Sequence, residues 1–144
     1  MSKTISFKGV IASGEQQKIN LKTIKGKVGY RIVKFQAIAN SPGAQSQESV
    51  LKIFTYEQAT VDGTVDFSNS ELLGVVYYRD NNNDIYPSSN EIIFDHVKFN
   101  QDIYLTHSDV AVGQSCNYYL ELEQVKLSKD EAAVATLKDM RGSN

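Results

Sequence analysis

Apolar and polar residues alternate along most of this chain, and the phase of the alternation marks the elements. In ISFKGVIA, Ile5, Phe7 and then Val10 line one face of an extended chain; in KINLKTI, Ile19 and Leu21 do the same before Ile24 slips phase. These runs predict two strands, with the short polar stretch SGEQQ between them as a hairpin connection. GKVGYRIVKFQAIA alternates through Val28, Tyr30 and Ile32 and then switches to Phe35 and Ala37, as a long central strand bent by a bulge would. SVLKIFTYE predicts another strand. LLGVVYYR is almost continuously apolar and predicts a strand covered on both faces. NEIIFDHV, DIYLTH and CNYYLELEQVKL complete the set, the last placing Tyr119, Glu121 and Glu123 on one face and Tyr118, Leu120 and Leu122 on the other.

Between the strands, NSPGAQSQES holds Pro42 and Gly43 and predicts an exposed loop. QATVDGTVDFSNSE predicts a long surface connection with room for one short edge strand. After residue 127 the pattern changes. Ser128 and Glu131 form a capping box, and DEAAVATLKDM predicts a helix from about Lys129 to Met140 with Ala133, Val134 and Leu137 as its apolar stripe. Strands without intervening helices imply an all-β fold. The expected architecture is an antiparallel β-sandwich, jelly-roll-like, of about eight strands over residues 1–127, with a short C-terminal α-helix and tail over 128–144. Immunoglobulin-like topology is the competitor, but its Cys, Trp, Cys core signature needs residues that a chain with one cysteine and no tryptophan lacks.

Composition narrows the function classes. The chain has 144 residues, 41% hydrophobic and 22% charged, which fits one globular domain. Its net charge is -2 and its arginines are Arg31, Arg79 and Arg141, so no basic patch for nucleic acid is expected. MSKTISFKGV lacks a secretory leader pattern and no run is long and apolar enough for a bilayer, so synthesis in the cytoplasm and no membrane contact are expected. With Cys116 as the only cysteine, an internal disulfide and a four-cysteine zinc site are excluded.

Candidate chemistry is sparse. In YYRDNNNDIYPSSNE, Asp80, Asn82, Asp84 and Glu91 fall at positions 1, 3, 5 and 12 of an EF-hand calcium loop. Position 6, however, is Ile85 where the sharp turn needs glycine, position 8 is Pro87, and the flanks read as strands. A solvated hairpin loop explains the same letters. His96 and His107 lie in separate strands without ligand spacing and read as structural; Cys116 reads as a small buried hydrophobe. GKVG at 26–29 lacks the spacing and the helix of a phosphate loop. No catalytic, cofactor-binding or metal residue is assigned, and the chain reads as a non-enzyme. In the pairs Tyr77-Tyr78 and Tyr118-Tyr119, one ring of each should enter the core and the other reach the outer face, where the outer rings together point to interaction.

ISFKGVIASGEQQKINLKT, KIFTYEQATVDGTVDFSNSELLGV and NYYLELEQVKLSKDEAAVATLKDMR resemble small virion-associated hypothetical proteins of uncultured marine bacteriophages. The likeness covers most of the chain and brings no functional motif with it. It implies a phage virion structural protein, a capsid or capsid-decoration subunit acting by self-association and shell binding. The partners implied are the protein itself, with a trimer favoured, and other capsid proteins. Its location would be the virion, after synthesis in the cytoplasm of a bacterial host. The alternative is a carbohydrate-binding β-sandwich module using loop Asp and Asn residues and outer tyrosines; the absence of tryptophan weighs against it. Because the Asp80–Glu91 loop lacks the turn glycine and the helical frame of a tight calcium site, EDTA is expected to change the melting temperature little. A calcium-dependent rise of several degrees would contradict this.

Overall fold

The computed structural model describes residues 3–21, 28–43, 46–80, 88–94 and 98–127. They form an all-β, antiparallel sandwich of eight strands: β1 (Lys3–Ile11), β2 (Gln16–Ile19), β3 (Val28–Ala39), β4 (Gln47–Phe54), β5 (Leu72–Asp80), β6 (Ser88–Ile93), β7 (Ile103–Asp109) and β8 (Cys116–Lys126). One sheet has the order β1-β8-β3 and the other β2-β7-β4-β5-β6. The ladders β1–β8, β2–β7 and β4–β5 are nested, as in a long hairpin rolled over itself, which is jelly-roll winding. The fourth nested pair, β3 with β6, is not made. β6 stays on β5 instead, from Gly74↔Ile93 to Arg79↔Ser88.

The expected β1–β2 hairpin does not form. Gly14, at φ 84, turns the chain from one sheet into the other; its N–H donates to the His107 carbonyl at 2.7 Å, and the His107 N–H donates to the Glu15 carbonyl at 3.2 Å. Ile11 and Ile19 are thereby buried from opposite sheets. β3 was expected to be central and is an edge strand of the smaller sheet, although the bulge is where the phase switch put it, between Ile32 and Lys34. Among the described residues only its start is bridged on the outer side, where Tyr30 N donates to Phe99 O at 2.7 Å and Phe99 N donates to Tyr30 O at 2.9 Å. Residues 55–71 contain no strand, so the short edge strand allowed for there is absent. The helix expected over 129–140 lies outside the described residues.

The core sits between the sheets, with Phe35, Leu51, Ile53, Leu105, Leu120 and Leu122 essentially sealed from solvent. A second apolar cluster lies on the outer face of the larger sheet: Val50, Phe54, Leu72 and Val75, with Tyr77 and Phe94 against them. This is why β5 reads as continuously apolar, since both of its faces are covered. The tyrosine pairs divide as the alternation requires, Tyr78 and Tyr118 turning toward the core and Tyr77 and Tyr119 outward. Five strands facing three leave β6 overhanging, and its residues are almost all exposed.

Phe35 owes its place in the core to the bulge and fills space between the sheets, so Phe35→Ala is expected to cost about 3–5 kcal/mol in urea unfolding. Val33→Ala at the exposed bulge residue should stay within about 0.5 kcal/mol. Equal losses at the two positions would mean that the bulge does not set the core register.

Candidate functional site

At one end of the sandwich a polar network replaces apolar packing. His107, on the inward face of β7, is completely buried, with Nε2 2.8 Å from Ser49 Oγ and Nδ1 3.0 Å from the Ile11 carbonyl. The Gln47 amide donates to Ser49 Oγ at 2.8 Å and to the Ser115 carbonyl at 3.2 Å. The donors run in one direction. Gln47 donates to Ser49, the Ser49 hydroxyl donates to Nε2, and Nδ1–H donates to Ile11, so neutral His107 is fully satisfied. Burial lowers its pKa from the ordinary value. A serine hydrogen-bonded to a histidine has the form of a nucleophile and its base, but both residues are sealed from solvent and no substrate can reach them. Cys116 is equally inert, its thiol pushed up to about 11 by burial.

Two carboxylates complete this end. Asp109 accepts from the N–H groups of Glu48 at 2.9 Å, Ala111 at 3.0 Å and Gln114 at 2.6 Å, which ties the β7–β8 turn to β4. Burial works to raise its pKa, and these backbone donors outweigh it and hold the group below the ordinary carboxylate range. Asp80, first residue of the calcium-like spacing, is buried; its Oδ2 accepts from Gly43 N at 2.6 Å and Tyr78 Oη at 3.3 Å, while its Oδ1 has no partner among the described residues. Glu91 is exposed on β6. Asn82, Asp84, Ile85, Pro87 and His96 lie outside the described residues. Among the described residues no three His, Cys, Asp or Glu side chains come together as a metal site.

The second arrangement was read from sequence only as a surface connection. Loop 55–71 leaves β4, crosses the outer face of the larger sheet and returns to β5, with its ends closed by Thr55 N donating to Glu71 O at 3.0 Å and by the Thr55 hydroxyl on the Glu71 carboxylate. Inside it, Asp62 Oδ1 accepts from Thr64 N at 3.0 Å, Asp66 Oδ1 from Ser68 N at 2.9 Å, and Asn69 Oδ1 from Glu71 N at 2.9 Å. Struts hold it to the sheet. Lys52 reaches out from β4 to donate to Asp62 Oδ1 at 3.3 Å and the Thr64 carbonyl at 2.5 Å, with its ammonium 5.5 Å from the Phe54 ring centre. Gln16 and Gln58 exchange hydrogen bonds of 3.1 and 2.8 Å, and Phe67 meets Phe94 edge-on at 5.3 Å.

Between loop and sheet lies a cleft of ≈ 890 Å³, floored by Lys52, Phe54 and Leu72 and walled by Tyr56, Gln58, Thr60, Asp62, Asp66 and Asn69. Both aspartates have pKa values lowered, Asp62 chiefly by the Thr64 N–H and Asp66 by the Ser68 hydroxyl and N–H, so both are ionised at neutral pH. Only the D-G and S-N-S turn letters hinted at this loop, and they say nothing of what it covers.

On the opposite side, a groove of ≈ 700 Å³ runs over the smaller sheet and along the seam to β6, lined by Lys8, Val10, Gln36, Ile38, Tyr119 and Glu91 among others. Val10 is 50% and Ile38 54% exposed. Tyr77, the other outward ring, is engaged with Glu48 and the second apolar cluster, so of the two only Tyr119 lines this groove.

Fold and surfaces together define a jelly-roll-like β-sandwich in which, among the described residues, one face is covered by the protein's own loop and the other is not. No protein-family model matches the chain, and no curated protein matches it. No helix among the described residues is long and apolar enough to cross a membrane.

The neutral state of His107 gives a pH dependence with a definite sign. Unfolded histidine protonates near 6.5 and the folded residue only at lower pH, so the unfolded state binds more protons and stability falls as pH drops below that value. The urea midpoint should decline between about pH 7.5 and 5.5, and His107→Gln should flatten that decline while lowering stability at pH 7.5. A variant retaining the full slope would place its origin elsewhere.

Proposed function

We propose that the protein is a phage virion structural subunit, in the capsid or decorating it, acting in repeated copies by self-association and shell binding. The observation that carries this reading is the lopsided sandwich. Three strands face five, β6 overhangs, and beyond Tyr30 the outer edge of β3 carries no strand partner among the described residues. Beside that seam lie half-exposed Val10 and Ile38 with Tyr119 between their strands. A protein that works alone blunts or covers such an edge, whereas neighbouring copies packed side by side cover it for one another. Tyr119 is suited to the border of such a contact, offering a large apolar ring while its hydroxyl stays bonded to Glu121 at 3.1 Å. The resemblance of three long segments to virion-associated phage proteins supports the same reading.

The partners are the protein itself, as a closed trimer, and other capsid proteins; the location is the virion, after synthesis in the bacterial cytoplasm. Light scattering after size exclusion at micromolar concentration is expected to give a trimer. Because Val10 and Ile38 are exposed, Val10→Asp with Ile38→Asp should shift it toward monomer without changing the fold by circular dichroism. A strictly monomeric wild type that also fails to bind phage particles would sink the virion reading.

A further inference from the structure

The cleft beneath loop 55–71 is built before any ligand arrives. Its walls are fixed by Asp62, Asp66 and Asn69 bonded to their own loop, and its depth by Lys52 and the Gln16–Gln58 pair, so a ligand would not bear the entropy of ordering them. At ≈ 890 Å³ it lies within the range of about 300–1,000 Å³ usual for small-molecule sites.

Its chemistry selects among ligand classes. Lys52, the only cation lining it among the described residues, has a side chain 7% exposed and already donates to Asp62 and the Thr64 carbonyl. Glu57, Asp62 and Asp66 leave surplus negative charge, which disfavours phosphate, sulfate and sialic acid. A fatty chain is disfavoured by the polar walls. Amide and hydroxyl groups of Gln58, Thr60, Thr64 and Asn69 line the space together with the carboxylates, more than a simple cation needs. Asp62 and Asp66 use Oδ1 for the loop, and their remaining oxygens are acceptors for ligand hydroxyls. Tyr56, half-buried at the wall, supplies the flat apolar surface on which a sugar ring can lie. We propose that this cleft binds a neutral saccharide, a role independent of whether the protein sits in a virion.

The test is a glycan array of neutral glucose-, galactose- and N-acetylglucosamine-based oligosaccharides beside sialylated and sulfated counterparts, with spermidine titrated by calorimetry as the cation arm. Neutral oligosaccharides should be retained, and the best of them should then bind at least about tenfold more weakly to Tyr56→Ala and to Asp66→Asn. Asp66 is exposed at the rim, so its variant reports on the site even where Tyr56→Ala unfolds the protein. Lys3→Ala, exposed on β1 of the smaller sheet and outside both the cleft and the proposed contact between copies, should bind unchanged. Retention of no neutral saccharide, preference for the anionic glycans or for spermidine, or binding undiminished in Asp66→Asn would each overturn the assignment.

Discussion

Leu120 of β8 stands between Phe7 and Phe35 of its two neighbours, and Leu122 between Ile5 and Ile32. That register is the constraint on which the rest of the fold depends. A slip of one residue would turn Glu121 and Glu123 into the core and bring the leucines to the surface, at a cost of several kcal/mol for each carboxylate left without partners. In place, Glu123 meets Arg31 at 3.1 Å and Glu121 lies opposite Lys34 on the outer face. The bulge at Val33 makes this possible on the β3 side. Without the extra residue, strict alternation would send Lys34 inward and Phe35 out. The smaller sheet therefore has one arrangement that buries its large side chains, and the larger sheet packs on whatever face that arrangement presents.

Such registers are legible in sequence because side-chain phase is a local property. The switch from Ile32 to Phe35 announced the bulge, and the Tyr-Tyr pairs announced one ring in and one out. Strand partners are a different matter. Alternation says which face a residue takes but not which strand lies beside it, so the chain neighbours β1 and β2 read as a hairpin although Gly14 sends them to opposite sheets. For the same reason β3, rich in apolar residues, read as central while standing at an edge. Lys52 was hidden by its own chemistry. A lysine alternating with Val50 and Phe54 looks like the solvent face of a strand, and only a loop returning from far along the chain, with Asp62 and the Thr64 carbonyl, makes its burial tolerable.

The polar end shows a different use of buried chemistry. Ser49, His107 and Gln47 link β4 and β7 to the end of β1 and the start of β8, across both sheets, by a chain of donors that closes only when the histidine is neutral. An apolar replacement of equal volume would hold the sheets together as well, but it would not prefer one relative placement over another. The network does, since a shift of either sheet leaves buried donors without acceptors. Ser49 and His107 are thus better understood as a positional lock than as a reactive pair.

The two outer faces have been treated in opposite ways. On the larger sheet, Val50, Phe54, Leu72 and Val75 are covered by the protein's own loop, and that cover leaves a polar cleft. On the smaller sheet, Val10 and Ile38 are exposed and line a groove with Tyr119, beside edges that among the described residues carry no strand partner beyond the Tyr30–Phe99 bridge. Exposed apolar side chains also stand on the other side, at Phe67 of the loop and Ile92 of β6, but on the smaller sheet Val10, Val33 and Ile38 share one uninterrupted sheet, which makes it the flatter surface for a proposed contact between copies. The faces of a sandwich point away from each other, so copies joined through the smaller sheet would keep the cleft turned outward. The proposed self-association and the proposed saccharide binding would then not compete for surface, and each copy in such an assembly would present one cleft to the surroundings, where weak single-site affinities would combine by multivalency.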